Sequence, residues 1–184
     1  GYISVNNSSD VSALTDDFTV QAWIKFGDTR ANNGTDEPQW STTIATSNWT
    51  GAGPNWFVGW SLGRSGGAAS HTNAKGRICF TVAGTGVAWD EAVSDDAGDA
   101  GVNIDGAWHH VVGKRESGTA TLYIDGEAQA TTTTTAPGDG GGLALGRLYQ
   151  DVDDYYFSGS IDEVAVWDVP LTDAQISLLS TGSA

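Results

Sequence analysis

The chain has 184 residues, enough for one domain that buries about 70% of its unfolded surface without a disulfide or metal staple. Its 8 Lys and Arg stand against 23 Asp and Glu, a net charge of −15. That balance argues against nucleic-acid phosphates and anionic membranes as partners, and favours solubility and hard cations. The single Cys79 forbids an internal disulfide, and no apolar run is long enough to span a bilayer. The chain holds no Met, so it reads as a mature fragment or an excised domain whose targeting signal lay in the missing ends. With 25 Gly, 8 Trp and short apolar runs, it reads as all-β.

In chain order, the first strand expected is 2–5. The second, Phe18–Phe26, alternates with period two: Phe18, Val20, Ala22, Ile24 and Phe26 on one face, Thr19, Gln21, Trp23 and Lys25 on the other. That predicts one apolar face. Segment 27–39 is polar, acidic and without periodicity, a long loop of the kind that often carries function. Strands are expected at 42–46, 56–62 and 76–82, the last holding Cys79 as a buried apolar residue. Segment 91–106 reads as a second long acidic loop. Further strands are expected at 108–115, 120–124, 129–132, 143–148 and 160–167. Ser117-Gly118 and Asp125-Gly126 read as tight hairpin turns; Asp-Gly suits type I′, which needs positive φ at both central residues. Thr131–Thr135 reads as a strand end or edge. One short helix over 171–179 is expected, with Thr172 as N-cap and Gln175 completing a capping box.

Several of these segments, in this order, form a known pattern. They are Asp17-Phe18-Thr19-Val20-Gln21-Ala22-Trp23-Ile24-Lys25, Trp108-His109-His110-Val111-Val112, Leu122-Tyr123-Ile124-Asp125-Gly126 and Leu145-Gly146-Arg147. Phe157-Ser158-Gly159-Ser160-Ile161-Asp162-Glu163-Val164-Ala165-Val166-Trp167 and Leu171-Thr172-Asp173-Ala174-Gln175-Ile176 complete it. The chain resembles the laminin-G-like, concanavalin-A-like jelly-roll domains of bacterial secreted proteins over nearly all of its length. The resemblance implies one domain, 1–184, excised from a larger extracellular or cell-surface protein. Its fold would be an antiparallel two-sheet β-sandwich of about six or seven strands per sheet, with one short C-terminal helix. Ligands and calcium of such families sit on the concave face or the rim, and the broader superfamily also holds glycoside hydrolases and lyases.

For Ca²⁺, which takes six to eight oxygen ligands, the resemblance offers Asp162 of the Ile-Asp-Glu-Val motif. The alternative is that Asp162 only accepts hydrogen bonds from a neighbouring loop. Asp151, Asp153 and Asp154 form a second candidate, three acids in four residues that repel unless solvated or neutralised; they could meet Asp95, Asp96 and Asp99. A solvated acidic loop is the alternative. No EF-hand spacing is present.

A retaining glycosidase needs two carboxylates about 5 Å apart. The chain lacks Glu-x-Asp-x-x-Glu, and the adjacent pairs Asp90-Glu91 and Asp162-Glu163 point to opposite faces of a strand. His109 and His110 likewise diverge, which suits hydrogen-bonding roles better than a shared metal. Tyr123, His110 and Arg147 offer the residue types of a lyase, without a spacing that unites them. No catalytic residues are assigned.

Sugar binding needs aromatic rings to stack on pyranoses, and amides and carboxylates to bond hydroxyls. Trp40, Trp49, Trp56, Trp60 and Trp89 lie in or beside Gly/Asn-rich segments, near Asn48 and Asn55. Trp40, Trp49, Trp56, Trp89, Asn48 and Asn55 are the candidate contacts; for each Trp, core packing is the alternative. His71 and Asn73 could add contacts. Trp23, Trp108 and Trp167 are expected to be packed. The leading expectation is a non-catalytic, calcium-stabilised domain holding an enzyme or adhesin on a polysaccharide or other glycan. It would be a monomeric unit in a multidomain chain, with no nucleic acid and no membrane insertion. The alternatives are an adhesin spacer or protein-binding module with structural calcium only, and a small polysaccharide-degrading enzyme.

Overall fold

In the computed structural model the alternation of Phe18–Phe26 becomes strand β2, whose inward residues Phe18, Val20, Ala22, Ile24 and Phe26 all enter the core. The structure describes residues 3–6, 14–27, 42–47, 59–64, 77–84, 90–94, 106–138, 142–147, 156–157 and 159–182. Two antiparallel sheets are formed. One runs β11(Gly159–Trp167), β2, β7(His109–Glu116), β8(Thr119–Ile124), β9(Glu127–Thr133). The other runs β1(Ile3–Asn6), β10(Gly142–Leu145), β3(Thr42–Ser47), β4(Gly59–Arg64), β5(Ile78–Ala83), β6(Asp90–Val93). This is the expected all-β sandwich, with six and five strands among the described residues.

The core lies between the sheets. Phe18 meets Trp60 and Phe80 with ring centroids 5.9 Å away in each case. Trp60 is 1% exposed, so it belongs to the packing, the alternative weighed for each Trp beside the Gly/Asn-rich segments. Its strand begins at Gly59, and the period-two partner Leu62 fixes the ring inward. Opposite Phe80, Gly113 has no side chain because a Cβ there would run into the ring.

The sequence places a loop at 91–106, but Asp90–Val93 is strand β6, paired with Cys79–Val82 of β5. The two hairpins form as expected: Ser117 and Gly118 have φ of 50° and 77°, Asp125 and Gly126 of 52° and 84°. The helix α1 spans Asp173–Leu179, with the Thr172–Gln175 capping box in place.

Phe18–Phe26 is also buried on its second face, where Thr19, Gln21 and Trp23 are at most 8% exposed. Gln21 and Trp23 lie against His110 of β7, and Thr19 is held by the C-terminal segment, about 150 residues later. Leu171 and Ile176 pack with Val112 and Tyr123, and Trp167 and Leu179 lie against them. The Thr19 hydroxyl donates to Val169 O and accepts from Leu171 N. Lys114 Nζ and Tyr123 OH both donate to Asp173 Oδ1, at 2.8 and 2.7 Å, so the helix N-terminus is latched to the sheet. Burial opposes the Lys114 charge, but the Asp173 and Tyr123 hydrogen bonds outweigh it and hold the ammonium above its ordinary range. Among the described residues, no helix is long and apolar enough to cross a membrane.

Candidate functional site

The outer face of the six-stranded sheet has a different chemistry. Pairing aligns one residue from each strand in a row: Ser4, Ala144, Thr46, Ser61, Thr81 and Glu91. Their strand neighbours Leu62, Phe80 and Ala92 point into the core, so this row points away from it. Strand spacing makes it roughly 24 Å long. The row carries four hydroxyls, one methyl and one carboxylate where a second packed layer would require apolar side chains.

Thr46 Oγ1 donates to Trp60 O at 2.9 Å, and Thr81 Oγ1 donates to Glu91 Oε1 at 3.2 Å. Thr46, Ser61 and Thr81 are buried, Glu91 is half-buried and Ser4 is exposed. Cys79 lies beside the row, across from Gly63 and Val93. Burial pushes its thiol up, the Glu91 charge adds to that, and the Thr81 hydrogen bond works against it. The face is thus poorly solvated and feels the Glu91 charge. Among the described residues no second carboxylate shares the face with Glu91, since Asp90 turns the other way and accepts from Thr135 N.

Of the expected sugar contacts, Trp40, Trp49, Trp56, Trp89, Asn48 and Asn55 lie outside the described residues, as do His71 and Asn73. Chain order still relates them to the sheet. Asn48-Trp49 follows the end of β3, Asn55-Trp56 comes shortly before β4, and Trp89 immediately precedes β6. Ser47, Gly59, Ala83 and Asp90 mark one end of the sheet, the end nearer the polar row, so the β3–β4 connection that carries Asn48-Trp49 and Asn55-Trp56 and the β5–β6 connection that carries Trp89 both leave the described strands there. Trp40 precedes the opposite end of β3.

Of the expected metal ligands, Asp151, Asp153 and Asp154 lie outside the described residues, with Asp95, Asp96 and Asp99. The segment that carries Asp151, Asp153 and Asp154 runs between Arg147 and Tyr156, which form a β-bridge. Gly146 N donates to Ile44 O, and Phe157 packs on Phe26, so that bridge sits at the sandwich end remote from Ser47 and Asp90. Asp162 is exposed beside a bulge; its Oδ1 accepts from Glu163 N at 2.8 Å, with Glu163 at φ 46°. That bond is to its own strand, not to a neighbouring loop. Among the described residues no group of three or more His, Cys, Asp or Glu is poised to hold a metal, so Asp162 offers one oxygen there, not a coordination set.

The two histidines diverge as expected. His109 Nδ1 contacts Asp125 Oδ2 at 2.8 Å. His110 Nε2 donates to Gln21 Oε1 at 3.0 Å, while the Gln21 amide nitrogen donates to Glu163 O. Among the described residues His110 Nδ1 is buried without a partner, and burial lowers the ring's pKa while Asp125 opposes this, which favours the neutral imidazole. Tyr123, His110 and Arg147 are each engaged elsewhere, Arg147 over the Tyr156 ring at 5.6 Å, and do not converge.

Thr46, Ser61, Thr81 and Glu91 escaped the reading of the sequence, although alternation in Ile78-Cys79-Phe80-Thr81-Val82 and Trp60-Ser61-Leu62 held the signal.

Over residues 1–177 the chain matches the laminin G-like family described as the concanavalin A-like lectin/glucanases superfamily, and it belongs to that superfamily. No curated protein matches its sequence. Among solved structures it is similar to domain 4 of AbnA, a GH43 extracellular arabinanase from Geobacillus stearothermophilus, in complex with arabinotriose. That likeness has 17% identity and a TM-score of 0.56 over 97% of this chain and 68% of the other. It is also similar to a carbohydrate-binding protein, so described provisionally, from Bacteroides ovatus: 20% identity, TM-score 0.65, 96% of this chain and 43% of the other. A third is a structure of botulinum neurotoxin type C, whose cell entry depends on two ganglioside molecules: 14% identity, TM-score 0.65, 98% and 39%. At these identities the likeness is one of fold. The chain spans about two fifths of the length of the second and third.

Proposed function

We propose that this is a non-catalytic glycan-binding domain of a secreted or cell-surface protein, holding an enzyme or adhesin on a polysaccharide. The observation that carries it is the polar row across the outer face of the six-stranded sheet, near the end where the Trp49, Trp56 and Trp89 segments join. Hydroxyls and a carboxylate suit sugar hydroxyls, and the tryptophans supply stacking surfaces. Three structural relatives described as arabinotriose-bound, carbohydrate-binding and ganglioside-dependent support it. A lone carboxylate on the described part of this face supports binding over hydrolysis, which needs two.

Calcium is part of the reading as a structural ion, with Asp162 as one candidate ligand and Asp151, Asp153 and Asp154 as a second, separate candidate. Asp162 lies on β11 opposite Trp23, and the bridge that flanks the other three sits at the end remote from the polar row. The test is a glycan array run with millimolar calcium and with chelator. Binding in both conditions is expected, together with a calcium-dependent rise in melting temperature. Binding lost with chelator would overturn the structural assignment of calcium. A blank array in both would overturn the glycan reading in favour of a spacer role.

A further inference from the structure

We infer that folding of this domain is gated by ionic strength: its surface charge weakens the compact state in dilute salt, and screening by monovalent cations restores it. The net charge is −15 over 184 residues. The two signs are also segregated by depth. Among the described side chains Asp16, Glu116, Glu127, Glu163, Asp168 and Asp173 are exposed, and Lys25 is the one exposed cation. Lys114 and Arg115 are buried, and each is shared between two acids. Lys114 Nζ lies 2.8 Å from Asp173 Oδ1 and 3.4 Å from Glu116 Oε2. Arg115 Nη1 lies 3.2 Å from Asp17 Oδ1 and 3.7 Å from Asp16 Oδ1. These cations are engaged beneath the surface and leave the described outer layer with an excess of one sign.

Self-repulsion of such a layer opposes the compact state, because unfolding moves the charges apart. For a chain of this length the radius of gyration goes from about 16 Å folded to about 46 Å unfolded. The Debye length is about 30 Å at about 0.01 M salt, so each acid on the folded domain repels the rest. At about 1 M it is about 3 Å, and only close neighbours still interact. Salt therefore removes a penalty that falls mainly on the folded state. A surface of mixed signs would respond the other way, since screening weakens exposed ion pairs. Any small monovalent cation serves, because screening depends on concentration and valence and not on a coordination set.

The experiment follows the melting temperature of the whole chain by circular dichroism, at neutral pH with chelator throughout, from about 0.01 M to about 1 M KCl and again in NaCl. The wild-type chain should gain about 10 °C or more, equally in the two salts. A chain that is unfolded at the lowest salt and folds as salt is added gives the same result in a stronger form. The triple variant Glu127→Gln/Glu163→Gln/Asp168→Asn keeps the contacts of the fold, because these three side chains make no hydrogen bond or ion pair among the described residues. It should melt above the wild type at the lowest salt, with the two converging at the highest. A wild-type melting temperature that stays flat or falls with salt overturns the inference. So does a variant whose curve runs parallel to that of the wild type, which would mark a general effect of salt on burial. Either outcome leaves the glycan reading untouched.

Discussion

The two sheets of this sandwich present opposite outer faces. On the five-stranded sheet the outward residues Val112 and Tyr123 are apolar or amphipathic, and Leu171 and Ile176 of the C-terminal segment cover them. On the six-stranded sheet the outward row is Thr46, Ser61, Thr81 and Glu91. A β-sheet buries one face to fold; what stands on the other face records a second task. For one sheet that task is to dock a helix; for the other, on the proposed reading, it is to meet a polar ligand. On that reading a position has a stability role on the first face and a binding role on the second.

The sharpest break in that contrast is Ile176→Ala. Ile176 is fully buried in the helix–sheet contact, and its truncation should cost about 3 kcal/mol, read by denaturant unfolding, with glycan binding retained in the folded fraction. Next comes the latch. Tyr123→Phe removes a donor to Asp173 Oδ1 and should cost about 1–2 kcal/mol. The latch also has a pH signature. Lys114 is held above its ordinary 10.5, so its stabilisation is present below that pH and is lost as pH rises through the higher folded value.

At the acid end His110 dominates this face. Its folded pKa lies below 6.5, so the unfolded chain takes up the proton first, and stability should fall as pH drops below 6.5. A His110→Asn variant should lose that slope between the two pKa values in a melting-temperature profile. The smallest effect on stability belongs to the other face. Ser61→Ala removes a hydroxyl with no hydrogen bond among the described residues, so unfolding should change by less than about 0.5 kcal/mol. Its glycan affinity should still fall about three- to ten-fold, the worth of one hydrogen bond.

What the sequence discloses divides along the same line. Phe18–Phe26, the Asp125-Gly126 turn and the Thr172–Gln175 cap are local signals, and each forms as expected. Trp23 is packed as expected, but the burial of Thr19 was not legible, because its cover comes from a segment 150 residues away. Asp90–Val93 is too short and acidic to announce a strand; its pairing with Cys79–Val82 makes it one. Trp60 lies in a segment expected as a strand beside Gly- and Asn-rich stretches, and only its inward register shows it to be core. The polar row needs register across six strands, which no local pattern supplies.

The most direct test is to probe the neutral-glycan array with the wild-type chain and with a Ser61→Ala/Thr81→Val double variant, with melting temperatures measured alongside. The polar-face account predicts wild-type binding, a signal lost or cut at least about ten-fold in the double variant, and a folded, cooperatively melting variant. Equal signals from the two folded proteins, or a blank wild-type array, would contradict it.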